Sequence, residues 1–339
     1  MKRFFPMILT LMLISTLAIA GCGGGNSGGN PGGTSYNPGD ASTYTVGGIS
    51  FKMHYAPSGS FNSTDDTGPC TLDGTVNVAN PYWIAETEVT YALWCAVYKW
   101  ATGDADMDGS IGSGETKGTY TFDHLGGRGG YVDETYVPYI TGHETDPVTC
   151  ISWRDALVWC NALTDYYNFQ NHKSLACVYM NGSDIIRDST NLGGVTVTVV
   201  STAKGFRLPT SDEWELAARY QNGSTWTPGT YASGATASYT DSGATKVAAW
   251  YGDNSAISGA NSTHPVGLKP SNGNSLGLYD MSGNVWEMCF DENPGVSNDC
   301  VIRGGMFDSP SDCVVVGYVA SNTMVGANYG TGFRPVRTQ

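Results

Sequence analysis

The sequence predicts an α+β domain of short strands and a few helices that are joined by long loops. Three observations lead to this prediction. One stretch alternates apolar and polar residues, three stretches have helical periodicity or helix-capping residues, and most of the remainder is rich in Gly, Ser and Asn, with 45 glycines among 339 residues. No internal repeat divides the chain. We therefore expect one domain whose short strands are joined by long loops.

The first two predicted elements are a strand and a helix. Residues 49–55 alternate apolar and polar side chains, which is typical of a half-buried strand. An amphipathic helix is predicted near residues 87–101, because apolar side chains recur there at helical spacing. These side chains are Val89, Leu93, Val97 and Trp100.

Two further helices are predicted from their capping residues. Ser152 and Asp155 have the spacing of a capping box, so a helix is expected to start at Ser152. Thr210 and Glu213 have the same spacing just after a proline, and the helix that they open is expected to continue through Tyr220.

The N-terminus has the composition of a secretory signal peptide. Two basic residues precede an apolar run over residues 4–20, which is too short and too early for a membrane-spanning helix. Residues 17–22 (LAIAGC) resemble a bacterial lipobox, and the resemblance implies cleavage before Cys22 and lipidation of its sulfur. An ordinary secretory signal with a chance cysteine is the alternative.

These features divide the chain into three predicted segments. Residues 1–21 form the signal peptide, residues 22–42 carry the lipidated cysteine and a flexible Gly-rich tether, and residues 43–339 form the folded domain. We expect a lipid-anchored protein of the bacterial cell envelope, at the outer membrane or the cell surface. Its membrane contact would be made through the lipid.

The charge balance argues against two classes of partner. The formal net charge is −14 at pH 7. An acidic surface repels the phosphates of nucleic acids and of anionic lipids, so we expect neither as a ligand. Acidity suits cation binding, although solubility alone explains it equally well. The sequence does not decide the oligomeric state.

The cysteines leave the disulfide question open. Eight follow Cys22, an even number that permits disulfides in an exported protein without revealing their pairing. Cys95 and Cys160 stand within apolar helical patterns, so we expect them to be buried free thiols. No Cys-x-x-Cys pair indicates structural zinc. The eight are Cys70, Cys95, Cys150, Cys160, Cys177, Cys289, Cys300 and Cys313.

Residues 104–115 (DADMDGSIGSGE) fit the calcium loop of an EF-hand. Carboxylates stand at loop positions one, three and five (Asp104, Asp106 and Asp108), with a glycine at six for the sharp turn. The Ser110 carbonyl and the Glu115 carboxylate at position twelve would complete an oxygen shell for calcium. The following residues make a poor exit helix. The alternative is an acidic surface loop that mimics the pattern.

Five motifs in order carry a family resemblance. They are residues 147–156 (PVTCISWRDA), 205–219 (GFRLPTSDEWELAAR), 277–287 (GLYDMSGNVWE), 303–305 (RGG) and 332–334 (GFR). Together the motifs resemble the signature of the formylglycine-generating-enzyme (sulfatase-modifying factor) superfamily, over roughly residues 44–337. The resemblance implies a C-type lectin-like fold of the formylglycine-generating-enzyme type. That fold has little regular secondary structure and long packed loops.

The resemblance also implies a second calcium site on the third motif. Asp280 and Glu287 would bind through their side chains, and Gly283 and Val285 through their carbonyl oxygens. The alternative is that Glu287 and Asn284 only hold the turn in place.

The catalytic pattern of the family is not matched. Formylglycine-generating enzymes hold copper with two cysteine thiolates after the RGG motif, and these positions fall on Ser309 and Val314. A serine hydroxyl cannot replace the soft sulfur ligand that copper(I) needs, so copper is not expected. The alternative is a related oxidase, acting on cysteines of exported proteins, in which Cys313 pairs with Cys289 or Cys300.

Another branch of the superfamily binds ligands and does not catalyse a reaction. The chain resembles the variable proteins of diversity-generating retroelements, in which the segment between RGG and GFR is diversified at adenine-bearing codons and lines an exposed ligand site. Residues 307–331 are almost all of types that adenine changes in an Asn codon can produce, with Met324 as the exception.

The resemblance to variable proteins predicts a ligand face over residues 306–331. We expect a non-catalytic binding protein for a protein or glycan ligand, and a structural accessory protein without a ligand site remains a further alternative. Exposed Tyr and Asn side chains suit recognition. The candidate ligand-contacting residues are Asp308, Ser309, Ser311, Asp312, Val316, Tyr318, Asn322, Asn328 and Tyr329.

Overall fold

The computed structural model describes most of the chain, and residues Tyr36–Gln339 form one compact unit. The predicted signal peptide, the lipidation site Cys22, the first part of the tether and Cys70 lie outside the described residues. The described ranges are 35–63, 74–128, 142–192, 195–293 and 295–339.

The helices and strands are short and are joined by long loops, which confirms the predicted α+β class with little regular secondary structure. The helices are α1 (Tyr91–Thr102), α2 (Trp153–Asn171), α3 (Ser211–Arg219) and α4 (Ser242–Ala248). The strands are β1 (Ala41–Val46), β2 (Ile49–Ala56), β3 (Gly59–Asn62), β4 (Thr75–Val78), β5 (Tyr82–Ala85), β6 (Tyr179–Asn181), β7 (Asp184–Ile185), β8 (Thr198–Val199), β9 (Phe206–Arg207), β10 (Ala256–Ile257), β11 (Ala260–Asn261), β12 (Trp286–Glu292), β13 (Asp299–Arg303), β14 (Ala320–Thr323), β15 (Thr331–Gly332) and β16 (Val336–Thr338).

Two sheets organise the domain. A five-stranded antiparallel sheet has the order β1-β2-β5-β16-β9, so the C-terminal strand β16 lies between β5 and β9. A four-stranded sheet has the order β14-β13-β12-β15 and carries the C-terminal part of the third motif. The smaller units are the pairs β3-β4 and β10-β11 and the three strands β7-β6-β8.

The folded part begins earlier than the sequence suggested. The predicted strand 49–55 is confirmed as β2, but the domain does not start at residue 43. The Tyr36 ring lies 4.9 Å from the Trp83 ring, edge to face, and 5.5 Å from the Tyr55 ring. This aromatic contact, together with the hydrogen bond from Gly39 N–H to the Tyr55 carbonyl, includes residues 36–42 in the fold.

Helix α1 also begins at a different residue from the predicted one. Thr90 is its N-cap and accepts a hydrogen bond from Leu93 N–H, so the helix starts at residue 91 and not near 87. Val89 is extended instead, because its N–H donates to the Phe333 carbonyl and its own carbonyl accepts from Val148 N–H. These two contacts join two of the family motifs, residues 147–156 and 332–334, to the residue just before the N-cap of α1.

Both predicted capping boxes are present. Ser152 and Asp155 cap α2 reciprocally, and Thr210 and Glu213 do the same for α3, which ends one residue before Tyr220. Helix α4 was not predicted, since its seven residues carry no clear apolar periodicity. Its start is stabilised by the Asp241 side chain, which accepts two backbone N–H groups.

The core lies between α1, α2 and the two sheets. The Trp94 and Trp159 rings are stacked with centroids 5.9 Å apart, and the Phe333 ring meets Trp159 edge to face at 5.3 Å. Cys95 and Cys160 are buried free thiols, as predicted. Burial raises the pKa of Cys95 to about 12, so this thiol stays protonated at neutral pH.

A buried carboxylate holds the start of α2. Asp155 accepts hydrogen bonds from the Ser152 hydroxyl at 2.6 Å, the Ser189 hydroxyl at 2.6 Å and His124 Nδ1 at 2.8 Å. Burial by itself would raise the pKa of Asp155, but these hydrogen bonds outweigh it and lower the pKa. In return, the hydrogen bond to Asp155 raises the pKa of His124 against a smaller opposing effect of burial.

This pair predicts a pH dependence of stability. The folded state holds the His124 proton more tightly than the unfolded chain does. The contribution of the protonated His124–Asp155 pair to the free energy of unfolding is therefore complete below the unfolded pKa of about 6.5. It is lost as pH rises through the raised folded pKa of His124. Between about pH 6 and about pH 8, we expect a loss of no more than about 1 kcal/mol, because the ring is partly exposed. Urea unfolding of wild type and His124→Gln at both pH values measures the loss. The loss should be smaller in the variant by the His124 contribution, whereas the control His172→Asn at the exposed end of α2 should lose as much as wild type does.

Candidate functional site

The loop 104–115 curls tightly after α1. Gly103 ends the helix in the left-handed conformation, and the buried Asp104 carboxylate accepts the N–H groups of Met107 at 2.7 Å and Gly109 at 3.0 Å. Each of Asp104, Asp106 and Asp108 offers an oxygen within 4.8 Å of the others, which makes them the one such group of three acidic, His or Cys residues in the described part of the chain. Three carboxylates so close together form a suitable start for a calcium shell.

The remaining predicted ligands, Ser110 and Glu115, make hydrogen bonds within the loop. The Glu115 carboxylate accepts hydrogen bonds from Gly112 N–H at 2.7 Å and from Ala105 N–H at 2.6 Å. Both bonds lower the pKa of Glu115, and the bond from Gly112 has the larger effect. The hydroxyl and the N–H of Ser110 both donate to Asp108. Glu115 therefore closes the loop from position twelve to positions two and nine, and it does not join the three aspartates.

The chain leaves this loop without an exit helix. Gly118 N–H donates to the Thr102 carbonyl, and Tyr120 N–H donates to the Ala101 carbonyl. The segment after the loop thus runs back along the end of α1. The loop keeps the ligand spacing of an EF-hand on a different scaffold.

In the third motif, Asp280 is buried and bound by backbone. Its carboxylate accepts Gly267 N–H at 2.5 Å and Lys269 N–H at 3.1 Å, and its own φ is 54°. Burial raises the pKa of Asp280 to about 7, against the lowering effect of these N–H groups and of Arg334. The residue anchors the preceding loop to the motif.

In the structure, Glu287 of the implied second calcium site is paired with an arginine. Both carboxylate oxygens of Glu287 are bound by Arg334, at 2.6 Å each, and one also accepts the Trp214 indole N–H at 2.8 Å. A guanidinium and a calcium ion would compete for the same two oxygens. The arginine of the GFR motif therefore takes the place that the resemblance gave to a cation. Asp280, Gly283 and Val285 are left without the glutamate of that site.

Asn284 fastens the turn to the rest of the domain. Its side-chain N–H donates to Glu88 at 3.1 Å, and its side-chain oxygen accepts His264 N–H at 2.9 Å. Burial, followed by the nearby charge of Asp280, raises the pKa of Glu88 well above its usual range. This matches the alternative in which the motif holds the turn in place. Glu88 itself was missed, because it lies 196 residues from Asn284 in the chain.

Within the predicted ligand segment, two candidate residues are part of the core. Val316 is fully buried among apolar side chains, and Ser309 is buried with its hydroxyl accepting Met306 N–H at 3.0 Å. Neither side chain is available to a ligand, which corrects their assignment. Ser309 closes a tight turn at the position where the family's enzymes have a copper-binding cysteine.

The other seven candidates are exposed or partly exposed. Asp308 accepts the Asn261 side-chain N–H at 2.6 Å, the Tyr318 ring lies 5.8 Å from the Trp286 ring, and Tyr329 is 39% exposed. Asn261 and Trp286 thus extend the surface, although only Trp286 stands in a motif that sequence could have flagged. We define the ligand face as Asn261, Trp286, Asp308, Ser311, Asp312, Tyr318, Asn322, Asn328 and Tyr329.

Two of the three cysteines of the oxidase alternative are buried, and the third, Cys313, is partly exposed. Cys289 and Cys300 are buried in the core, and burial raises the pKa of both, to about 12 for Cys300. Copper(I) is held by thiolates, which these surroundings disfavour. The Cys300 thiol also donates to the Asn322 carbonyl at 3.4 Å.

The sequence was compared with family models and with known proteins. A family model described as the sulfatase-modifying factor enzyme 1-like domain matches residues 45–339, and the chain belongs to this family. Chaperone protein LppX of Paenibacillus barcinonensis is 29% identical over 220 residues, which cover 58% of this chain and 71% of that protein. Formylglycine-generating enzyme of Streptomyces coelicolor is 27% identical over 299 residues, which cover 75% of this chain and 77% of the enzyme.

A solved structure is similar as well. Treponema denticola variable protein 1 matches with a TM-score of 0.61 and 27% identity, covering 88% of this chain and 99% of that one. The predicted fold of the formylglycine-generating-enzyme type and the resemblance to a variable protein are thereby confirmed. Similarity to a chaperone protein and to a variable protein fits a non-catalytic binding role. In the part of the chain that the structure covers, the helices are too short or too polar to span a membrane.

Proposed function

We propose that this chain is a non-catalytic binding protein of the cell envelope, anchored through lipid on Cys22, whose ligand face binds a protein or a glycan. The observation that carries the proposal is that residues 306–331 combine buried anchors with exposed side chains. Buried anchors such as Phe307 and Val316 hold the segment, while Asp308, Asn328 and Tyr329 are exposed between and beside them. The buried anchors fix the backbone of the segment, so the exposed side chains can differ in type without a change of the backbone.

The backbone of the ligand face is supported by a buried arginine. Arg303 donates to the Ser211 hydroxyl at 2.7 and 3.0 Å, to Glu215 at 2.7 Å and to the Tyr318 carbonyl at 3.2 Å. The Tyr318 backbone is therefore tied to the start of α3 through a charged group that is itself 2% exposed. A recognition tyrosine held in this way loses little conformational entropy when it binds.

The chemistry of the ligand face suits recognition without catalysis. Tyr318, Trp286 and Tyr329 offer aromatic surface, and Asp308 and Asn328 offer polar groups beside it. Rigid aromatic side chains with adaptable amide partners are the usual composition of a binding surface. The similarity to a variable protein supports the same role.

The aromatic side chains of the ligand face can be tested by substitution. We expect Tyr329→Ala and Tyr318→Ala to weaken binding by about 1–3 kcal/mol, because buried aromatic contacts dominate such interfaces. Thermal unfolding of Tyr329→Ala should be nearly unchanged, since the side chain is 39% exposed. Glycan arrays and envelope-protein arrays probed with wild type and variants provide the measurement.

The control for this experiment is Phe169→Ala, an aromatic residue on α2 that is 69% exposed and lies outside the ligand face. It should bind as wild type does. If wild type retains no ligand on either array, or if a ligand is retained equally by both tyrosine variants, the ligand face is placed wrongly.

Calcium at the loop 104–115 is a second part of the proposal. The three clustered aspartates would form most of the shell, and Glu115 would exchange its two backbone N–H groups for the ion. Calorimetric titration of wild type with calcium should give binding heat that Glu115→Gln lacks. The control Glu292→Gln, an exposed glutamate at the end of β12, should bind as wild type does. Heat that persists in Glu115→Gln would place calcium elsewhere.

An oxidase is the second candidate function, favoured by the 27% identity to the Streptomyces coelicolor enzyme. It would need copper retention and oxygen consumption with a cysteine peptide. The buried Cys289 and Cys300, with their raised pKa values, and the buried Ser309 turn support the binding role over this one.

A further inference from the structure

A cavity of about 270 Å³ lies between α3, β8, β9 and β12, on residues that are not in the ligand face. We call it the Arg207 cavity. Its lining includes both side chains of the Arg207–Glu213 ion pair and several apolar side chains. The residues used below are Asn80, Pro81, Val199, Arg207, Glu213 and Phe290. We propose that the Arg207 cavity binds one neutral sugar ring.

The base of the cavity carries an ion pair whose two charges cancel. Arg207 and Glu213 share two hydrogen bonds of 2.6 Å, and their side chains are 14% and 11% exposed. Glu213 also accepts Thr210 N–H, which completes the capping box of α3. The pair is held rigidly at the start of a helix while part of it remains open to the cavity.

This pair has hydrogen-bonding capacity to spare. Arg207 Nη1 uses both hydrogens, on Glu213 and on the Leu208 carbonyl. Within the residues that the structure covers, its Nε–H and the second Nη2 hydrogen have no acceptor, and Glu213 Oε1 accepts one hydrogen bond only. A donor and an acceptor therefore stand side by side, which is what a hydroxyl group needs, because it both donates and accepts.

The walls select for a ring with apolar faces. Phe290 is half-buried against Tyr179, with ring centroids 5.4 Å apart, and Pro81 and Val199 lie on the same lining. A sugar ring presents C–H groups to such walls and hydroxyls to the base. The volume is just below the range of about 300–1,000 Å³ usual for drug-sized ligands, so one ring fits better than a chain of rings.

The charge of the cavity argues for a neutral ligand. The Arg207 and Glu213 charges cancel, so neither an anionic nor a cationic sugar would find an unshared counter-charge at the base. An anion at the remaining Arg207 hydrogens would lie beside the Glu213 carboxylate, whose negative charge repels it.

The test uses the full chain with glucose, mannose, galactose and N-acetylglucosamine as probes, and glucuronate as the charged comparison. Saturation-transfer NMR followed by titration should show at least one neutral sugar bound with a Kd on the order of 1 mM, and glucuronate bound more weakly. No binding of any neutral sugar at about 10 mM, ten times that Kd, would overturn the proposal. Tighter binding of glucuronate by wild type would do the same.

Two variants locate the binding. Val199→Trp fills the cavity from a position that is 39% exposed, and it should weaken sugar binding about tenfold or more. The control Val247→Trp, at a residue of α4 that is 60% exposed, should bind as wild type does. Unchanged affinity in Val199→Trp would show that the sugar binds elsewhere.

Glu213→Gln provides a second measurement if Val199→Trp does not fold. A glutamine keeps an oxygen for the helix cap but leaves the Arg207 charge unbalanced. Glucuronate should then bind more tightly to the variant than to wild type, and neutral sugars more weakly. Unchanged selectivity would overturn the proposal. Tyr329→Ala should leave sugar affinity unchanged, which keeps this test independent of the ligand face.

Discussion

Arg334→Met is expected to destabilise the domain by about 3–5 kcal/mol, because it leaves the Glu287 carboxylate buried without its counter-charge. Both side chains of this pair are fully buried, and two hydrogen bonds of 2.6 Å join them. Arg334 also donates to three backbone carbonyls, each of which would lose that hydrogen bond. These belong to Ala85, Glu86 and Tyr279. Urea unfolding followed by tryptophan fluorescence measures the loss.

A second substitution separates the charge effect from the packing effect. Adding Glu287→Gln to Arg334→Met should recover part of the stability, because the amide carries no charge and its oxygen still accepts the Trp214 N–H. Lys52→Met is the control, since Lys52 pairs with Glu86 at the surface and should contribute about 1 kcal/mol or less. A loss in Arg334→Met as small as that in Lys52→Met would mean that Glu287 has another partner, such as a cation.

Gly283→Ala should prevent the third motif from adopting its turn. Gly283 has a φ of 76°, where a side chain costs about 1–2 kcal/mol, and a Cβ there would overlap the backbone of Trp250. The Trp250 carbonyl cannot retreat, because it accepts Asn284 N–H at 2.8 Å, and Gly283 N–H is itself bound to the Gly304 carbonyl. We expect a loss of about 4 kcal/mol or more, or failure to fold.

Gly48→Ala isolates the conformational part of this cost. Gly48 has nearly the same φ, 77°, but an added Cβ would meet nothing within 4 Å. Its loss should stay near about 1 kcal/mol. Equal losses in the two variants, measured by urea unfolding, would show that the approach of Trp250 to the motif is not close in solution.

Local signals were predicted well from sequence. The capping boxes at Ser152 and Thr210 and the alternating strand at residues 49–55 are all present, because each depends on residues within a few positions of one another. The start of α1 shows where this reasoning ends. Val89 fits the helical spacing, yet its backbone is extended, since Phe333 and Val148 provide its hydrogen-bond partners.

The ligand face shows the same division. Residue types in 306–331 indicated a recognition surface, but they could not separate Val316 and Ser309, which are buried, from Asp308 and Tyr329, which are exposed. In a segment with little regular structure, no period of two or 3.6 residues assigns side chains to an inner or an outer face. Only the surrounding chain makes that assignment.

The sequence by itself determined the family, the fold class, the calcium-loop spacing and the likeness to a binding protein, because five ordered motifs and one loop pattern are written in consecutive residues. The tertiary structure decided that Arg334 binds both carboxylate oxygens of Glu287, which residues of the C-terminal segment are exposed, and that Arg207 and Glu213 line a cavity. The physical reason is the distance along the chain over which each interaction acts. Hydrogen bonds within a turn or cap join near neighbours, whereas ion pairs, burial and cavities depend on which distant segments the packed core brings together.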